Sequence, residues 1–68
     1  MIVVNKTKML FLIQNTETNE YKCKDSAAEE WSSDLNLAEI FESRQEALDL
    51  IKNSKKWENA VVRVIWSL

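Results

Sequence analysis

The chain has 68 residues, a net charge of −2, a single Cys, and no His, Gly or Pro. That composition excludes an internal disulfide, a His/Cys zinc site, a Ser–His or Cys–His nucleophile pair and every Gly-rich phosphate cradle. A chain this short buries only about 60% of its unfolded surface, so partner binding or self-association is an expected source of stability. With the commonest general base near neutral pH also missing, an enzyme is not expected, nor is a cofactor or a metal. The longest early apolar run, Met9 to Ile13, is too short for a signal sequence or a membrane span. Together with the lone thiol this predicts a cytoplasmic protein, and 1–68 is read as one small domain.

In chain order, Ile2–Val4 and Met9–Ile13 read as one long strand or two collinear pieces, with Met9, Phe11 and Ile13 on one side and Leu10 and Leu12 on the other. Apolar residues on both faces suit a central strand. The polar run Asn15–Asn19 predicts a hairpin turn built without glycine. Glu20–Lys24 alternates, which places Tyr21 and Cys23 inward and the charges outward. Cys23 is therefore expected to be a buried structural thiol. Residues 25–33 are irregular, with an Ala-Ala-Glu-Glu run able to form a helical turn and Trp31 expected to plug one end of the core. Asp34–Ala38 predicts a second short turn capped by Ser33 or Asp34, and Glu39–Phe41 a short strand. A competing reading makes 34–42 one helix. Ser43 and Glu46 form a capping box, followed by Ala47, Leu48, Leu50 and Ile51 at helical spacing. The helix is expected over Arg44 to Asn53, ending with Asn53 in the left-handed region and with Lys52, Lys55 and Lys56 near its C-terminus, where they suit the dipole. Ala60–Trp66 is a strongly β-branched strand. Ala60, Val62, Val64 and Trp66 make one apolar face, and Val61, Arg63 and Ile65 the other.

The spacing of Trp31, Asp34-Leu35, Ala38, Phe41, Ser43, Glu46-Ala47 and Ile51, followed by a β-branched strand, resembles small uncharacterised phage and prophage proteins. In these a hairpin precedes a Trp, a short helical turn supplies an Ala, and F-x-S-x-x-E-A leads into a helix and a last strand. The resemblance spans residues 9–66 and implies a phage or bacterial origin and a β-β-α-β order. It carries no activity and no catalytic residues. The absence of glycine departs from the pattern.

Charge is polarised along the chain. Residues 25–49 carry a net −7, residues 1–24 a net +2 and residues 50–68 a net +3. Glu39, Glu42, Glu46 and Asp49 form one acidic stripe if the chain is helical there. That stripe is either a solvated face with acids biased toward the helix start or a surface that docks a basic partner. Lys6, Lys8, Lys52, Lys55, Lys56 and Arg63 are candidates for a nucleic-acid patch, but a pI near 5.0 argues against a polyanion as the main partner.

The expected fold is therefore α+β: an antiparallel sheet of three or four strands with one main helix on one face, in β-β-α-β order, and a short helical turn before the helix. One helix covers one face, which leaves Leu10, Leu12, Val61 and Ile65 for a second, open face. Arg63 is placed at its rim or on a carboxylate. The function expected is a non-enzymatic protein-binding module, phage-derived, regulating or inhibiting a host protein. Its interaction residues are Glu39, Glu42, Glu46 and Asp49 on the helix and Val61, Arg63 and Ile65 on the open face, the latter forming a homodimer. The alternatives are a DNA-mimicking or nucleic-acid-directed protein and a small structural or accessory subunit. No membrane partner is expected.

Overall fold

A computed structural model describes residues 8–25, 28–54 and 57–67. The strand expected at 2–4 and Lys6, Lys55 and Lys56 of the basic patch lie outside them. Strands β1 (Lys8–Asn15), β2 (Tyr21–Lys22), β3 (Trp31–Ser32) and β4 (Ala60–Ser67) form an antiparallel sheet in the order β3-β2-β1-β4. A 3₁₀ turn (Leu35–Leu37) precedes the helix α1 (Arg44–Asn53). The fold is α+β, as expected. The order differs by one element, because Trp31–Ser32 adds a third strand ahead of the helix where the sequence predicted an irregular segment or a helical turn. Two residues carry no detectable period, and only their pairing with Tyr21 and Lys22 makes them a strand.

The turn between β1 and β2 needs no glycine. Asn15 Oδ1 accepts from the amides of Glu17 (2.8 Å) and Thr18 (3.3 Å), and Asn19 takes φ 62°, which Asn tolerates better than most residues. β1 pairs with β4 over its whole length, Lys8 opposite Ser67 through Asn15 opposite Ala60. With β2 it pairs only at Gln14–Tyr21. Beyond that point β1 and β2 part, and the segment Ala38–Phe41 fills the gap. Ala38 bridges to Cys23, and Phe41 exchanges both backbone hydrogen bonds with Phe11 (2.9 and 2.8 Å). The chain is therefore extended before the helix, and the reading of 34–42 as one helix fails. Asp34 caps the 3₁₀ turn as expected, its carboxylate accepting from the amide of Asn36 at 2.9 Å.

Two helix-end expectations are corrected. Ser43 is the N-cap residue of α1, but its side chain makes no capping hydrogen bond; the incoming extended chain positions the helix without it. Asn53 is not left-handed, since Asn19 is the one positive-φ residue among those described. Instead α1 ends in a tightened turn, with the Ser54 amide donating to the Ile51 carbonyl at 3.1 Å.

Directly opposed residues share a face of the sheet. The helix face thus holds Phe11, Ile13, Val62, Val64, Lys22, Trp31 and Phe41. Its core is Phe11, Ile13, Phe41 and Ala47, with Leu50, Ile51, Val62, Trp31 and Trp57 packed around it. Trp31 meets Trp57 edge to face, centroids 5.4 Å apart, a favourable aromatic geometry that closes one end of the core as expected.

Candidate interaction surface

The helix face of the β1–β4 ribbon grades from dry to wet. Ile13 is fully buried and Phe11 is 8% exposed, but Met9 is 45% exposed; on β4, half-buried Val62 gives way to Val64 at 44% and Trp66 at 61%. The cause is length. A helix of 10 residues is about 15 Å long, whereas strands of 8 residues run about 27 Å. α1 seats Ala47, Leu50 and Ile51 on the Ile13–Val62 end and leaves the other end bare. This corrects the expectation that the helix covers Met9 and Val64: they lie on its face of the sheet, as Trp66 does, but stand exposed. A groove of about 230 Å³, lined by Met9, Phe11, Arg44, Val62 and Val64, marks where the helix stops.

The second face is less open than expected. Leu12 is fully buried, as are Cys23 and Ala38, which share its face by pairing. Leu10, Val61 and Ile65 are half-buried. Arg63 is exposed and, among the described residues, makes no ion pair with a carboxylate: its Nε donates to Gln14 Oε1 at 3.0 Å, so the guanidinium leans across onto β1.

The four acids expected as a stripe are split by the backbone. Glu39 and Glu42 lie in the extended segment, and only Glu46 and Asp49 are on α1. Glu42 accepts from Lys8 Nζ at 2.7 Å. This hydrogen bond, and then the charge behind it, holds its carboxyl below the usual range. Asp49 accepts from Gln45 Nε2 at 2.8 Å, and Glu46 is exposed.

Glu39 reaches Lys22, which corrects the expectation that Lys22 points to solvent. Lys22 is 7% exposed. Its stem lies on the helix face opposite Trp31, and its ammonium donates to Glu39 and, at 3.1 Å, to Asp25. Burial alone would lower its pKa, but the two carboxylates outweigh burial and raise it. A second cleft, about 370 Å³, opens beside this ion pair between Asp25, Glu29, Glu30, Leu50 and Trp57.

The lining of the larger cleft includes Cys23 as well as the carboxylates of Asp25, Glu29 and Glu30. The Cys23 thiol is buried, and burial first, then nearby acids, raise its pKa, which makes it a poor nucleophile. Among the described residues no three His, Cys, Asp or Glu side chains converge as a metal site. No helix of the described residues is long and apolar enough to cross a membrane. Neither protein-family models nor curated proteins nor solved structures give a match to this chain.

From the sequence, Met9, Val64 and Trp66 share the apolar face assigned to the helix, Lys22 is placed outward with the other charges, and Trp57 has no assigned place. For the first three a signal was available, since the helix and strand lengths were both countable. For Lys22 there was none, because its partner Glu39 is 17 residues away.

Proposed function

We propose that this chain is a small non-enzymatic protein-binding module, of the phage type its sequence resembles, that acts in the cytoplasm to regulate or inhibit a host protein. The observation carrying this reading is the bare apolar end of the β1–β4 ribbon. There Met9, Val64 and Trp66 stand exposed around a groove walled by Phe11 and Arg44. Exposed apolar clusters on small domains mark interfaces, and Trp and Arg are the side chains that most often dominate them. Docking through an acidic helix face has less support, because Glu39 and Glu42 are engaged by Lys22 and Lys8.

The test is capture from bacterial lysate at low and high salt. The native protein is expected to retain a stoichiometric protein partner that survives high salt, since apolar contacts are not screened. Trp66→Asp is expected to lose it, and Leu48→Asp, exposed on the helix, to keep it. A partner held equally by Trp66→Asp, or released by salt, overturns the reading.

A further inference from the structure

The ends of the sheet are unequal. One edge is β3, two residues long, and the other is β4, eight residues long. Such an edge is commonly shielded by Pro, a bulge or charges, yet β4 pairs with β1 without interruption and carries one charge, Arg63. That charge leans inward onto Gln14.

The backbone settles which groups face outward. Phe11 spends both its N–H and its C=O on Phe41, so Phe11–Val64 is a non-hydrogen-bonded pair, and Leu10–Ile65 and Leu12–Arg63 are the bonded ones. The N–H and C=O of Val62, Val64 and Trp66 therefore point away from β1, and among the described residues none of them has a backbone partner.

We infer that the outer edge of β4 pairs antiparallel with β4 of a second copy, Val64 opposite Val64, to make one continuous sheet. The inference rests on the reading of this end of the ribbon as a protein-binding surface and assigns its backbone edge, as distinct from its apolar face, to a second copy. The register follows from self-complementarity. With Val64 on the two-fold axis, Val62 lies opposite Trp66 of the second copy, and all three outward residues form bonded pairs. Arg63 then faces Ile65 of the second copy. Sliding one way sets Arg63 against Arg63, a like-charge pair. Sliding the other way leaves Val62 with no partner inside β4. The chosen register also lays each exposed Trp66 beside Val62 at the rim of the other copy's groove, whose wall includes Arg44, a cation that an indole face attracts. Val62, Val64 and Trp66 of each chain thus lie beside the same three residues of the other, as a two-fold interface requires.

Sedimentation and residue-resolved amide exchange on the native protein test this. A mass rising toward twice 8.0 kDa with concentration is expected, with exchange at Val62, Val64 and Trp66 slowed about tenfold or more over the same range. Val64→Pro removes only an outward N–H, which an edge strand tolerates, and is expected to stay folded by circular dichroism and to remain monomeric. A native protein that is monomeric to millimolar concentration overturns the inference, as does a dimer in which those three amides stay unprotected. Either result, with lysate capture still sensitive to Trp66→Asp, leaves the protein-binding reading standing; loss of both removes that reading too.

Discussion

Lys22 shows how far a single side chain can depart from its strand's pattern. Its position in Glu20–Lys24 alternates with Tyr21 and Cys23, and alternation alone sends it to water. The sheet buries it instead, because β3 brings Trp31 alongside and the extended segment brings Glu39 over its ammonium. A buried pair is costly to break and cheap to replace. Glu39→Ala should therefore lower stability by roughly 1–3 kcal/mol, Asp25 remaining as partial compensation, whereas Lys22→Met should fall within about 1 kcal/mol of the native protein; urea denaturation distinguishes them. The pH dependence has a definite sign. Cys23 and Lys22 both have raised pKa values in the folded protein, so both contribute stability that is fully present below their unfolded pKa values and lost as pH rises through the folded ones. Stability should begin to fall from about pH 9 as the unfolded thiol ionises and fall further above about pH 10.5 as the lysine does. A thermal melt series should show Cys23→Ala losing the first of these steps and keeping the second.

Elements were more legible than their ends. β4, the hairpin, the 3₁₀ turn with its Asp34 cap and the span of α1 follow from propensity, period and turn chemistry, which are local. β3 was not legible, because only its partner defines it. The Ser43/Glu46 box was legible as a pattern but its side-chain bond is not made. Ser43→Ala should consequently cost less than about 0.5 kcal/mol by urea melt, against the ~1 kcal/mol of a working cap. The stripe of four acids depended on helix continuing backward from α1, and the pairing of Phe41 with Phe11 prevents it. The mismatch of helix and strand length makes two chemically equal positions unequal. Val62→Ala, under α1, should cost about 1–2 kcal/mol, and Val64→Ala, beyond it, less than about 0.5 kcal/mol. Both are measured at low micromolar concentration, where self-pairing contributes least.

For the molecule as a whole, the class of fold was readable from the order of local signals, while the bare ribbon end was hidden behind the assumption that every apolar strand residue finds cover. A countable length difference of about 12 Å between helix and strands contradicts that assumption. The pairing of β1 with β4 has a further consequence in time. Its partners are separated by 45 residues at Asn15–Ala60 and by 59 at Lys8–Ser67, so the central ladder of the sheet is closed by its most distant segments, a topology that slows folding. On a ribosome adding about 5–20 residues per second, β1 waits roughly 2–10 seconds for β4 to be made, and until then Phe11 and Ile13 lack the strand that flanks them. Nascent chains arrested before residue 60 should be digested rapidly by a protease, and chains arrested with residues 60–67 clear of the exit tunnel should resist it. Rapid protection of the shorter chains would show that β1, β2 and α1 hold together unaided. The pairing predicts instead a protein that folds only after β4 has left the ribosome, with β1 in need of shelter while it waits.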